Sequence, residues 1–249
     1  SSFKGSVEFE KVTFAYDGKH NVLKDISFSV KPKEKIAFVG ETGAGKTSII
    51  SILTGLYRIQ SGVIRIDGKD IYDYNLQGLR KKVGVVLQDV FLFSGSILDN
   101  IRLFDNSISR EKVISAAKYV YAHSFIEKLS DGYDTMILER GGTLSAGERQ
   151  LIALARAVVF DTDILVLDEA TANVDTETEA LIQKAMERIS SEKTMITIAH
   201  RLSTIRNADR IMVIHRGSLV ESGNHEELLS KGGIYTDLYR LQYELGDTA

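Results

Sequence analysis

The 249-residue sequence predicts an α/β fold, with parallel strands in its sheet and a helical block inserted between two groups of strands. Two observations carry that prediction. Short apolar, β-branched runs alternate with helix-forming stretches towards both ends of the chain, the pattern left when crossover helices bury a sheet on both faces. From about residue 96 to 160 that alternation gives way to helical periodicity alone.

Taken in order, "SVEFEKVTFAY" (6–16) alternates polar and apolar residues as a half-buried strand does, and "NVLKDISFSV" (21–30) repeats the pattern after the turn residues "DGKH". Pro32, the single proline, marks the turn before "KIAFVG" (35–40), a short buried strand. "KTSIISILTGLY" (46–57) reads as a helix, "GVIRIDG" (62–68) as a strand with a tight exit, and "VGVVLQ" (83–88) as a further apolar run. The helical block contains "DNIRLF", "REKVISAAKYVYAHSFIEKLS" and the run that follows Gly147. Alternation then returns with "DILVLDE" (163–169), "ETEALIQKAMERIS" (177–190), "TMITIAH" (194–200) and "RIMVIHRGSLVESG" (210–223).

Composition narrows the function. The chain is 43% hydrophobic and 26% charged with a net charge of −3, so it lacks the basic excess of a nucleic-acid partner. The absence of cysteine excludes disulfides and thiolate metal sites. No apolar run approaches the roughly 18–20 residues that span a bilayer. The opening "SSFKGSVEFE" has neither a signal peptide nor an initiator Met, and the expectation is a piece of a longer chain.

"GETGAGKT" (40–47) satisfies G-x-x-x-x-G-K-[ST] at Gly40, Gly45, Lys46 and Thr47, with an apolar strand before it and a helix after it. Glycines let backbone N–H groups close on a β-phosphate, Lys46 neutralises β/γ charge, and the Thr47 hydroxyl can ligate Mg²⁺. The expected nucleotide-binding set is this loop, with Glu41, Thr42, Gly43 and Ala44 between the fixed positions, and the adjoining Ser48. Such a nucleoside triphosphatase needs a Mg²⁺-side carboxylate at the end of another buried strand. "ILVLDEAT" supplies Asp168, placed to hold Mg²⁺ directly or through water, and Glu169, placed to orient and deprotonate an attacking water. Gln88 and His200 also end apolar strands, where open α/β sheets bind ligands, although position alone fits an ordinary loop residue equally well. Tyr16 ends the first strand, where it either stacks a base or simply packs.

The order Tyr16, "GETGAGKT", Gln88, "LSAGE", "ILVLDE", "ANVD", His200 resembles the ATP-binding cassette (ABC) domain, over roughly Val7 to Tyr243. The "LSAGE" element before a helix makes the resemblance specific, and "LQDVFLFSGSILDNI" and "GYDTMILERGGTLS" are similar to its exporter branch. The resemblance implies a P-loop NTPase (RecA-like) core with an N-terminal antiparallel β-subdomain and an inserted α-helical subdomain. Its expected bounds are about 6–88 and 161–249 for the core with its β-subdomain, and about 89–160 for the helical signature part. It implies ATP and Mg²⁺ as cofactors, with Mg²⁺ on Thr47, Gln88 and Asp168, and adenine stacked on Tyr16. Gln88 senses the metal and links to a transmembrane domain. Glu169 is the catalytic base, His200 contacts the γ-phosphate, and Asp175 touches the opposite subunit. The signature Leu144, Ser145, Ala146, Gly147 and Glu148 serves the ATP of a second ABC domain, head to tail, in a homodimer or a heterodimer. The expected protein is an export ATPase on the cytoplasmic face of a membrane, preceded in its chain by transmembrane helices. A soluble ABC ATPase of translation or DNA repair is the alternative, and a P-loop small-molecule kinase would leave "LSAGE" unexplained.

The signature departs from the usual Leu-Ser-Gly-Gly-Gln at Ala146 and Glu148. Glu148 either caps the helix, where a carboxylate is favourable, or points inward and weakens the partner's site. Phe91 and Phe93 are either core aromatics or the lining of a groove for a helix of the membrane domain.

Overall fold

The computed structural model describes residues 4–137, 144–168, 174–199 and 202–241. The chain opens with β1 (Val7–Phe14) and β2 (Leu23–Val30), passes through β3 (Lys35–Val39) into α1 (Lys46–Leu53), and returns as β4 (Ser61–Ile66) and β5 (Lys69–Asp70). Helix α2 (Leu76–Lys82) leads into β6 (Val83–Val86). The middle of the chain holds β7 (Gly95–Ser96), α3 (Ile97–Arg102), α4 (Arg110–Tyr119), α5 (His123–Ile126), β8 (Met136–Ile137) and α6 (Ala146–Val159). The last part runs β9 (Ile164–Asp168), α7 (Thr176–Ser190), β10 (Thr194–Ile198), α8 (Leu202–Arg206), β11 (Arg210–His215) and β12 (Ser218–Gly223). It closes with α9 (His225–Lys231) and α10 (Ile234–Tyr239).

Two larger sheets result. One is antiparallel, in the order β2-β1-β4-β5; the other runs β12-β11-β3-β10-β9-β6. In the second sheet every pairing is parallel except the final β11–β12 hairpin. Strand β3 therefore lies between β10 and β11, both supplied by the last quarter of the chain. Its residues Ile36 to Val39 are buried, as are all of β10, which is why these strands read as unbroken apolar runs rather than alternating ones. Strand β1 faces the space between the sheets on one side only, with Val7, Phe9, Val12 and Phe14 buried between exposed positions.

Three apolar clusters hold these layers. Phe9, Phe14, Phe38, Ile49, Leu53 and Ile196 fill the space between the two sheets around α1. Ile97, Ile101, Val113, Leu151, Leu154 and Ile182 join the helical block to the opposite face. Ala37, Val39, Ile211, Leu228 and Tyr235 seat the C-terminal helices.

Several boundaries differ from the sequence reading. Strand β1 stops at Phe14, two residues short of Tyr16, and β6 stops at Val86, two short of Gln88, so both polar residues stand in the loops beyond. The run 210–223 is a hairpin turned at Arg216 and Gly217, both with left-handed φ, a turn hidden within continuous β-forming sequence. The helical block also carries the two-residue pair β7–β8, too short for any periodicity to register. Among the described residues no helix is long and apolar enough to cross a membrane.

Candidate nucleotide site

Register places the candidate residues on one rim. Phe38 of β3 is level with Ile198 of β10, which is level with Asp168 of β9, while Val86 of β6 pairs with Leu167. The carboxyl ends of four adjacent parallel strands thus deliver, side by side, the loop at Gly40, the segment leading to His200, Asp168, and the bend at Gln88. This is where open α/β sheets bind ligands. Glu169 and His200 themselves lie outside the described residues; the strands leading to them are described as far as Asp168 and Ala199, and Ala199 N–H donates to Phe38 O at 3.1 Å.

The loop is held tightly from behind. A Cβ at Gly40 would sit 2.2 Å from the Ile214 carbonyl oxygen, and one at Gly45, whose φ is 109°, would sit 2.7 Å from Leu23 Cδ2. Only glycine tolerates both approaches. Gly217 N–H, in the β11–β12 turn, donates to Ala44 O at 3.1 Å, and Lys24 N–H donates to Gly217 O at 2.7 Å. Glu41, Thr42 and Gly43 are exposed at the tip, and Ala44 is buried.

Gly45 is also the N-cap of α1 and brings no side-chain cap, so the first-turn N–H groups of Lys46, Thr47 and Ser48 gain no acceptor from it. A helix start of this kind, with its positive dipole end outward, is an anion site. Lys46 is only 7% exposed, and its ammonium donates to Gly40 O at 2.6 Å and Glu41 O at 2.8 Å, closing the loop on itself. Burial holds its pKa below the usual lysine value, against the opposing pull of the Asp168 and Glu41 carboxylates. Thr47 is exposed beside it.

Tyr16 is tied to this helix. Its hydroxyl and Ser48 Oγ lie 3.0 Å apart, and its ring meets Phe14 and Tyr57 edge-on, with centroids at 4.7 and 5.0 Å. The ring is nevertheless 51% exposed, so a rigidly held aromatic face remains open beside the loop.

Leu144 is buried and Ser145 is exposed at the N-cap of α6. Ser145 forms a capping box with Glu148: Glu148 N–H donates to Ser145 Oγ at 3.2 Å, and Ser145 N–H donates to Glu148 Oε2 at 2.7 Å. The Glu148 carboxylate is thus turned back onto its own helix start. The box engages the N–H groups of Ser145 and Glu148 and leaves those of Ala146 and Gly147 outside it. A Cβ on Gly147 would lie 2.3 Å from Thr178 Cγ2 and 2.9 Å from Val174 Cγ1, so the glycine allows α6 to press against the start of α7. Asp175 caps α7, accepting from Thr178 N–H at 2.9 Å, and that hydrogen bond lowers its pKa.

Phe91 and Phe93 are 48% and 45% exposed, in edge-on contact at 5.0 Å, with Phe104 against Phe93 at 6.1 Å. They form an exposed aromatic ridge rather than core. What sequence reasoning missed is the support beneath them: buried Asn100 and Arg156 of α6 hold the backbone of this loop. Both side chains sit inside helical runs, where they look like ordinary polar positions.

A glycine loop closing on an uncapped helix, beside a strand-end aspartate on a largely parallel sheet, defines a P-loop nucleotide-binding domain. The ABC transporter family model matches residues 23–172, and with the relatives below it shows that the chain belongs to this family, as an ATP-binding domain of ATPase type. It is 48% identical over 242 residues to the ATP-dependent lipid A-core flippase of Haemophilus influenzae (strain 86-028NP), covering 96% of this chain and 41% of the flippase. It is 50% identical over 238 residues to Bacillus subtilis YheH, described as a probable multidrug resistance ABC transporter ATP-binding/permease protein, covering 96% and 35%. A solved bacterial Atm1-family ABC exporter with ATP bound superposes with a TM-score of 0.90 at 42% identity, covering 96% of this chain and 42% of that one. The chain spans about two-fifths of the length of the relatives it matches.

Proposed function

We propose that the chain is the motor of an exporter, binding ATP with Mg²⁺ between two copies and hydrolysing it to drive a transmembrane domain through the Gln88 loop. The observation that carries this reading is the single rim on which the phosphate loop, Asp168 and the segments of Gln88 and His200 emerge, in a fold that matches an ATP-bound exporter. Support for the membrane partner comes from relatives named as a flippase and an ATP-binding/permease protein. Those names disfavour the soluble repair or translation reading. The operating site is accordingly the inner face of a membrane.

In this reading Gly40 to Ser48 cradle the phosphates, Lys46 leaves its two carbonyl acceptors for the β/γ oxygens, and Tyr16 stacks the adenine. Thr47, Asp168 and Gln88 would hold Mg²⁺, which would supply neutralisation of the triphosphate's charge. Glu169 accepts the proton of the attacking water, and His200 steadies the γ-phosphate. Residues 6–88 and 161–249 form the catalytic core with its β-subdomain, and 89–160 the signature part.

The signature acts in trans. The Ser145 hydroxyl accepts from Glu148 N–H and keeps its own proton to donate, and the N–H groups of Ala146 and Gly147 point the same way at a positive helix end. Offered to a second copy, they complete the γ-phosphate shell, with Asp175 at the contact. Because Glu148 is occupied in capping, Ala146 and Glu148 leave this half-site functional. Mixing a Ser145→Arg chain with a Lys46→Ala chain tests the arrangement. Each mixed dimer has one doubly damaged site and one intact site, so hydrolysis returns that neither variant shows alone. Wild-type activity of Ser145→Arg by itself refutes it.

A further inference from the structure

Arg156 lies on α6, and its hydrogen bonds among the described residues all end on uncharged acceptors. Nε donates to Asn100 O at 2.8 Å, one terminal nitrogen to Phe91 O at 2.9 Å and the other to Asn100 Oδ1 at 3.1 Å. Asn100, fully buried on α3, completes the grip: its Oδ1 accepts from Phe93 N–H at 2.8 Å, and its Nδ2 donates to Phe93 O at 2.9 Å and Ser96 O at 3.0 Å. Two side chains thus fix the backbone beneath the exposed Phe91 and Phe93. A guanidinium suits this task because its donors diverge in one rigid plane, which a lysine ammonium on a flexible stem cannot reproduce. Burial lowers the Arg156 pKa to about 10, and among the described residues no carboxylate pairs with it.

We infer that Arg156, with Asn100, is a positioning element that locks the Phe91–Phe93 ridge to the signature helix, so that ridge and signature move as one body. Arg156 is 11 residues from Ser145 on one continuous helix, which at 1.5 Å per residue is about 16 Å of rigid shaft. A push on the ridge therefore reaches the Ser145 end without passing through the catalytic sheet. The structural part of this inference stands alone, and its functional part rests on the proposed exporter reading.

The test uses Arg156→Lys, with Arg156→Gln as a second variant that removes the buried charge should the first fail to fold. In the 249-residue chain, hydrogen exchange at the Phe93 amide accelerates by about tenfold or more while ATP affinity stays within about twofold. In the full-length membrane-embedded protein, kcat for ATP falls by about tenfold or more with KM nearly unchanged, as expected when the shaft no longer delivers Ser145 in place. Unchanged Phe93 exchange overturns the lock. Faster exchange with unchanged kcat overturns its role in turnover. A parallel loss of ATP affinity and melting temperature in both variants shows a merely structural residue and also overturns it. Failure of the exporter reading is recognised separately, by a full-length protein that is recovered outside the membrane fraction, and leaves the exchange result standing.

Discussion

Ser145 caps α6 and, in the proposed function, also serves a partner's ATP, and Ser145→Ala divides the two roles. As N-cap it accepts one hydrogen bond, from Glu148 N–H at 3.2 Å, while the reciprocal bond from Ser145 N–H to Glu148 survives the substitution. Losing a serine cap costs about 1 kcal/mol, within a range of about 0.5–2. For a chain of this length that lowers the melting temperature by about 2–4 °C. A defect of that size leaves the protein folded at assay temperature and has no reason to touch turnover. The trans role predicts something much larger. Removing one donor aimed at charge developing in a transition state costs about 10²–10³ in kcat. Ser145→Asn sharpens the comparison, because Asn caps as well as Ser but lacks the hydroxyl. Its melting temperature should match wild type while its kcat falls with that of the alanine variant. Thermal denaturation and steady-state hydrolysis by the dimeric protein measure both effects. Turnover of Ser145→Ala within about twofold of wild type would refute the trans assignment. An unchanged melting temperature would refute the capping box.

Four further outcomes are expected. Glu169→Gln keeps ATP binding and loses turnover by orders of magnitude, whereas Lys46→Ala loses nucleotide binding, both read by equilibrium binding and phosphate release. Gly147→Ala forces a Cβ to within 2.3 Å of Thr178 Cγ2 and should destabilise by about 1–3 kcal/mol in denaturant melts. Phe91→Ala and Phe93→Ala, at nearly half exposure, should each cost far less than the roughly 3–5 kcal/mol of a core phenylalanine and, in the proposed exporter, should uncouple transport from hydrolysis. Tyr133 is buried, and burial raises its phenol to about 12 from an ordinary 10. Between those values the folded state keeps a proton that the unfolded state has lost, so stability is full below pH 10 and declines above it, by up to about 3 kcal/mol. Denaturant melts across this window should show a shallower alkaline decline for Tyr133→Phe.

The phosphate loop was legible because its chemistry is local: strand, glycines, lysine and helix lie within 20 residues, and each announces itself. Asp168 was legible for the same reason, as a charge ending a wholly apolar run. The loop's rear support was not. Ile214, Gly217 and Leu23 press on it from distant parts of the chain, and nothing in their neighbours marks the contact. Arg156 stayed hidden because, in "ALARAVV", a lone arginine every few residues looks like a solvated stripe; its acceptors lie 56 and 65 positions away. Glu148 looked ambiguous because helix capping and phosphate proximity both occur at one helix start. Its hydrogen bond to Ser145 N–H places it in the cap, and only three-dimensional structure contains that bond.

The place of β3 bears on how the protein is made. Its partners on either side, β10 and β11, are encoded more than 150 residues after it, and the loop's brace at Gly217 comes later still. While the ribosome is still extending the chain, the glycine loop exists as sequence but has no sheet to stand on and no hairpin behind it. At about 5–20 residues per second, some 10–30 s separate synthesis of the loop from synthesis of its brace. ATP cannot act as an early folding ligand during that interval. Until then β3 has two unpaired edges, each open to pairing with another strand.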